Sequence, residues 1–212
     1  MRPLLITDCD EVLLHMVKHF RDWLGAHREV DFEIGAHDFQ RAMKRRDGGA
    51  PFTQPEMWAM LNDFFPAEMG RQTIVPGAAE ASAAIADEAD VVVLTNLVDG
   101  CRQPRIEQLA AFGIHHRVEC NQGGKGGPVA KLVEEYRPSV AVFVDDLGVH
   151  HESVARHAPG VHRLHMVSEP LLAAAMPPAP YAHARIDDWA DALPWIRARF
   201  AAGVPAPEKE PA

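Results

Sequence analysis

PLLITDCDEVLL, residues 3–14, opens with the apolar run Leu4-Leu5-Ile6 and then delivers two carboxylates, Asp8 and Asp10, separated by one residue. A short apolar run of this kind is the pattern of a strand buried on both faces of a parallel sheet. If the extended conformation persisted, the two acids would point to one side about 6–7 Å apart. At ~6 Å and an effective dielectric near 20, two like charges repel by roughly 2.8 kcal/mol. That cost calls for a compensating group.

Further short apolar runs follow at Val91 to Leu94, Val140 to Val144, Val161 to Met166 and Ala182 to Ile186. Between them lie amphipathic stretches at about 77–88, 101–112, 127–136, 150–157 and 187–200, whose apolar residues recur at helical spacing. Strands alternating with helices predict an α/β fold with a parallel sheet. Its crossovers are right-handed, and its ligands collect beyond the carboxyl ends of the strands. One interval departs from the alternation. From Leu14 to Gln72 no convincing strand is found, and Leu13, Val17, Phe20 and Leu24, then Trp58, Leu61 and Phe65, recur at helical spacing. The segment KRRDGGAPFTQP reads as a loop within it, and Val75-Pro76-Gly77 returns the chain to the sheet. The expected organisation is a core of residues 1–14 and 73–200, a small helical insertion at 15–72, and a Pro-rich, frayed tail at 201–212.

Composition narrows the function. Over 212 residues, 21 Lys and Arg stand against 30 Asp and Glu, a net charge of -9, which disfavours nucleic acid and anionic membrane surfaces as partners. Three widely spread cysteines form neither a zinc motif nor an even disulfide set, so a reducing cytoplasm is expected. Asp8 and Asp10 break the first apolar run before it can serve as a signal peptide. No later run reaches the ~18 apolar residues of a membrane span.

Three of the strand candidates end in groups that suit phosphoryl chemistry. The run at 140–144 ends in Asp145-Asp146, and a parallel sheet brings that end to the rim that carries Asp8. Carboxylates gathered there either hold a hard divalent cation or stay partly protonated, and oxygen-only ligands favour magnesium. The run at 91–94 ends in Thr95-Asn96, which offers a hydroxyl and backbone N–H donors to an anion. Lys125, in the glycine-rich stretch QGGKGGP before a helix, adds a positive charge. A metal opposite an anion site suits a phosphoryl group that one carboxylate attacks while another handles the proton.

Asp8-Cys9-Asp10 after one strand, Thr95 closing a second, Lys125 before a helix and Asp145-Asp146 closing a third resemble the ordered motifs of the haloacid dehalogenase-like hydrolase superfamily. The resemblance spans about residues 4–157, and the insertion at 15–72 is similar to that family's helical cap. It implies a Rossmann-like sheet and a Mg²⁺-dependent phosphatase acting on a small phosphorylated metabolite. By that resemblance Asp8 is the nucleophile that forms an aspartyl-phosphate, and Asp10 is the general acid and then base. Thr95 binds the phosphoryl oxygen, beside the Asn96 backbone donor read above, and Lys125 steadies nucleophile and phosphate. The metal falls to Asp8, Asp10 through its backbone carbonyl, Asp145 and Asp146. Glu11 stands where many members carry Gly, and the acid expected four residues after Asp146 is replaced by His150.

Other assignments compete at single residues. Asp pairs also cap helices, and Lys131 offers an alternative to Lys125. His150 and His151 point about 100° apart on a helix and are expected on its surface. Met16, Met57, Met60 and Trp58 read as core of the insertion, and Lys44-Arg45-Arg46 as a solvated helix face or a clamp on an anionic substrate. Cys9 reads as packing, since neighbouring acids suppress a thiolate. A P-loop is excluded because Glu119 occupies the place of its leading Gly and Gly126 follows the Lys. A receiver domain has its acid pair before, not after, its Thr and Lys, and a dehalogenase lacks the second Asp. A phosphomutase of the same family and a non-catalytic anion-binding protein remain as alternatives.

Overall fold

The computed structural model of the chain describes residues 1–36 and 39–209. Residues 37 and 38 of the insertion and 210–212 of the expected tail lie outside them. The elements are β1 (Leu4–Thr7), α1 (Val17–His27), β2 (Val30–Phe32), α2 (Phe39–Ala42), β3 (Met43–Arg45) and α3 (Gln54–Glu68). They continue as α4 (Ala78–Ala86), β4 (Asp90–Thr95), α5 (Arg102–Ala111), β5 (Arg117–Cys120), α6 (Gly126–Tyr136) and β6 (Ala141–Asp145). The chain closes with α7 (Gly148–His157), β7 (His162–His165), α8 (Pro170–Ala175), β8 (Ala184–Arg185) and α9 (Trp189–Ala202).

The main sheet has six strands in the order β5-β4-β1-β6-β7-β8, each pair parallel. β1 lies at its centre, which explains its uniformly apolar run: Leu4 and Ile6 face α6 and α7, whereas Leu5 faces the side covered by α4 and α9. On one face Val92, Leu94 and Phe143 meet Val129, Leu132 and Val154; on the other Val91, Val93 and Val142 meet Ile85, Trp189 and Ile196. The α/β class and the Rossmann-like sheet are as expected. β5, with the sequence RVEC, is a strand that sequence reading passed over, because only Val118 in it is apolar and buried.

The insertion has a second core, in which Phe20, Trp23 and Phe64 pack ring to ring with centroids 5.2 to 6.2 Å apart. Its elements differ from the all-helical expectation. β2 and β3 pair antiparallel, Val30 with Arg45 and Phe32 with Met43. Strands of three residues show too little alternation to be told from a loop by sequence, although Val30 and Phe32 are buried and Asp31 exposed. Lys44 and Arg45 therefore lie on a strand, and Lys44, Arg45 and Arg46 pair with Glu33, Glu56 and Asp31 instead of forming a solvated helix face. The buried stripe of α3 is Met57, Leu61 and Phe64, so its phase is one residue off the expected Trp58 and Phe65, and Trp58 is 53% exposed.

The insertion joins the core through two connectors that hold each other: His15 N–H donates to the Thr73 carbonyl and Val75 N–H to the Leu13 carbonyl, both at 2.9 Å. The segment after α9 is not frayed over its described part. Ala206 N–H donates to the Gly160 carbonyl, and the Val204 and Pro207 carbonyls meet the His162 and His183 rings. The buried His162 and the half-buried His183 on the sheet side, which composition does not reveal, anchor it. Among the described residues no helix is long and apolar enough to cross a membrane.

Candidate active site

The register places the acids together. Thr7 pairs with Val93 on one side and Val144 on the other, so β6 and β4 run one and two residues past Thr7, to Asp145 and Thr95, at the same rim. Asp8 N–H continues the ladder to the Val144 carbonyl at 2.8 Å. Carboxylate oxygens of Asp8, Asp145 and Asp146 consequently lie within 4.8 Å of one another, and all three residues are buried. Chain positions 137 residues apart thus form one negative cup, as the parallel register requires.

Lys125 enters this cup with no solvent exposure. Its Nζ donates to Asp145 Oδ2 at 2.6 Å and lies 2.8 Å from Asp8 Oδ1. The second contact is an ion pair off the line of a hydrogen bond, which leaves Asp8 Oδ1 without an aligned donor. The glycines around Lys125 serve close approach more than mobility. A Cβ at Gly126 would lie 2.1 Å from the Ser153 carbonyl oxygen, and Gly126 N–H donates to Ser153 Oγ at 2.9 Å. The first turn of α6 is thereby pressed onto α7, and Lys125 is aimed at the strand ends. Lys131 is exposed and does not compete.

The electrostatics follow from burial. Desolvation raises the Asp8 carboxyl to about 7, with Lys125 opposing the rise and Asp145 and Asp10 adding to it. Burial and the neighbouring Asp145 and Asp8 charges push Asp146 well above the ordinary carboxylate range. Burial acts on Asp145 too, but Lys125, His150 and His151 outweigh it and hold Asp145 below its usual value. Asp145 also accepts the Leu147 N–H at 2.9 Å, so both its oxygens are engaged. Protons or a hard cation must relieve Asp8 and Asp146, and an all-oxygen set of this span fits a divalent ion such as Mg²⁺. The Asp10 carboxylate stands outside the cup.

Two expected residues take different surroundings. Asn96 engages its amide in the loop that carries Lys125: Nδ2 donates to the Gly123 carbonyl at 2.9 Å, and Oδ1 accepts from Asn121 Nδ2 at 3.0 Å. Its side chain braces the loop, and the donor expected for an anion is the backbone N–H. Asp10 accepts from Arg105 Nη2 at 3.0 Å on each oxygen and from Gln72 Nε2 at 2.9 Å on Oδ1. Thr95, the last residue of β4, is buried at the rim as expected.

Glu11, at φ +59°, holds a left-handed backbone that favours Gly. Its carboxylate offsets the strain by accepting the Met16 and Val17 N–H groups at 2.8 and 2.7 Å and the Ser168 hydroxyl at 3.2 Å. It therefore caps α1, which has no side-chain cap of its own at Met16. His150 and His151, expected on a helix surface, are both buried. The Asp145 carbonyl meets His151 Nε2 at 3.0 Å, and His150 Nε2 lies 3.3 Å from the Asn96 amide. Sequence reading also missed Arg105. Cys101, Arg105 and Leu109 share one helix stripe at four-residue spacing, the one signal that this cation faces inward.

No family model matches the sequence, and no curated protein matches it. Solved structures do. A haloacid dehalogenase-like family hydrolase from Xanthomonas campestris is 17% identical, with 95% of this chain and 97% of that chain covered and a TM-score of 0.57. A subfamily IA hydrolase of the same superfamily from Geobacter sulfurreducens is 17% identical, with 92% and 96% covered and a TM-score of 0.56. The D,D-heptose 1,7-bisphosphate phosphatase from B. bronchiseptica, solved with magnesium and phosphate, is 13% identical, with 93% and 99% covered and a TM-score of 0.55. At these identities the likeness is one of fold.

Proposed function

Proceeding from the haloacid dehalogenase-like hydrolase fold that this chain has, we propose that it is a magnesium-dependent phosphatase acting on a small phosphorylated metabolite through an aspartyl-phosphate on Asp8. The observation that carries this proposal is the Lys125 ammonium set between Asp8 and Asp145, with Asp146 completing a buried carboxylate group that spans 4.8 Å. A buried cluster of three acids and one lysine retains uncompensated negative charge, which is the state a metal-binding, phosphoryl-accepting site requires.

Asp8 and Asp146, with Asp145 behind them, would hold the ion, which supplies charge neutralisation on the phosphoryl oxygens. An Asp8 oxygen attacks phosphorus and the bond to the leaving oxygen breaks, while Asp10 supplies the proton that makes the leaving group an alcohol. Water then attacks the phosphorus of the acyl phosphate as Asp10 takes up its proton, restoring Asp8 and releasing inorganic phosphate. Thr95 and Lys125 bind phosphoryl oxygens through both steps. The free thiols of Cys9, Cys101 and Cys120 fit a reducing cytoplasm.

The test is phosphate release from p-nitrophenyl phosphate and from a panel of sugar phosphates, phosphoglycolate and nucleoside monophosphates, with and without Mg²⁺. Turnover that needs Mg²⁺ and falls by at least about 10³-fold in Asp8→Asn is expected. Equal turnover in wild type and Asp8→Asn, or none on the whole panel, overturns the proposal.

A further inference from the structure

The phase of α3 leaves two large aromatic residues outside the buried stripe of the insertion. Because Met57, Leu61 and Phe64 fill its core, Trp58 and Phe65 lie on the neighbouring stripe, which meets the sheet domain. A cleft of about 70 Å³ opens there, between α3 and the loops that follow β4 and β5. Trp58, Leu61 and Phe65 form one wall, and Leu97, Val98 and Cys101 form the other. Leu97 and Cys101 are buried beside the half-buried Phe65, whereas Trp58 and Val98 are exposed.

The loops that close the cleft also carry the residues proposed to bind phosphate. Asn96 follows Thr95, Gln122 lies three residues before Lys125, and both border the cleft. The Asn121 N–H donates to the Thr95 carbonyl at 2.9 Å, which ties the two loops together. A phosphoryl group seated on Thr95 and Lys125 therefore has the cleft beside it. Among the described residues that border it, none carries a charge. Cations close by are engaged, Arg105 by Asp10 and Arg102 by Asp99 at 2.7 Å. A leaving group with a carboxylate or a second phosphate would lose water there and find no partner, a cost the apolar walls cannot offset. An apolar group gains from the same walls. At about half the ~150 Å³ that holds benzene in a closed cavity, the cleft admits one edge of a single ring or a short branched chain, and a fused ring system is too large. We infer that the substrate is a phosphate monoester of a compact, uncharged, largely apolar alcohol, with Trp58 and Val98 as specificity-determining residues. This rests on the proposed phosphatase chemistry for turnover, but not for the chemical class of ligand.

Two experiments on the full chain test it. With Mg²⁺, kcat/KM for benzyl phosphate should exceed that for phosphoglycolate, which also has an alkoxide leaving group, by at least ~tenfold. Trp58→Ala should lower the benzyl ester alone and bring the ratio within about threefold, and Asn62→Arg, which adds a cation at the cleft, should raise phosphoglycolate. Trp58 and Asn62 are exposed, so neither change opens the core. A wild-type ratio of one or less, or equal losses on both esters in Trp58→Ala, overturns the inference and leaves the phosphatase proposal standing. The second experiment compares benzylphosphonate with methylphosphonate, neither of which is hydrolysed, by calorimetry with Mg²⁺. Benzylphosphonate should bind the wild type at least ~tenfold more tightly, and Trp58→Ala should cut that advantage below about threefold. Equal affinities, or no binding of either, overturn the inference. The expected phosphonate preference without turnover of either ester supports the inference and counts against the phosphatase proposal alone.

Discussion

Lys125 carries a charge in a place where burial works against it. Desolvation lowers its affinity for a proton, but Asp145 and Asp8 more than restore it and hold it above the ordinary lysine range. Removing the ammonium would strand two buried carboxylates. Lys125→Met is expected to cost about 3–5 kcal/mol in urea unfolding, as breaking a buried pair does, and Asp145→Asn added to it should recover most of that loss. Additive losses in the double variant would show that the pair is not coupled. Asp8, Asp145, Asp146, Thr95 and Lys125 were all legible in the sequence because each terminates a strand or opens a helix, and such ends are marked by abrupt changes of residue type. Arg105 was not, since a lone Arg in the helix RQPRIEQL looks like any surface cation until its stripe with Cys101 and Leu109 is counted. The burial of His150 and His151 was equally hidden: α7 packs against both β6 and α6, so more of its circumference is covered than a one-sided helix would show.

At the scale of elements, α3 begins with a signature that sequence does carry. Thr53 Oγ1 accepts the Glu56 N–H, and the Glu56 carboxylate accepts the Thr53 N–H at 2.8 Å, a reciprocal cap preceding Pro55. The Thr53 backbone and hydroxyl donors, with Arg45, hold the Glu56 carboxyl down at about 2. Its contribution is therefore present above the ordinary Glu value of 4.5 and is lost as pH falls through about 2. Thr53→Ala should lower stability by about 1 kcal/mol at neutral pH, and a carbonyl NMR titration of Glu56 in that variant should move back toward the ordinary Glu range. A variant with unchanged unfolding and an unmoved titration would show that the cap is idle. α1 is capped from outside its own sequence, by Glu11, and no local motif announces that. The β2–β3 hairpin was likewise invisible, because a three-residue strand is defined by its partner and not by its own pattern.

At the scale of the whole molecule, metal and protons compete for one cup. A buried carboxyl raised to about 7 stabilises the folded chain while protonated, fully below the unfolded value near 3.8, and that stabilisation is lost as pH rises through about 7. Magnesium binds the ionised form, so its effect should grow across the same window. At tenfold excess over its Kd it should add about 1.4 kcal/mol. For a chain of this size that is a Tm rise of roughly 3–6 °C at pH 8, shrinking toward zero at pH 5.5 and reversed by chelation. An equal shift at both pH values would mean that the ion sits elsewhere. What the sequence determined by itself was the alternation of buried runs and amphipathic helices, and with it a parallel sheet whose strand ends hold acids, a threonine and a lysine. These are short-range properties, because burial on two faces and helical spacing are written in consecutive residues. The tertiary structure alone decided that Asp10 is tied to Arg105 and Gln72, that Glu11 supports α1, that Asn96 braces a loop and that the segment after α9 is pinned. Each of these joins residues whose separation in the chain leaves no periodic trace, and a side chain's partner there is set by how the layers pack.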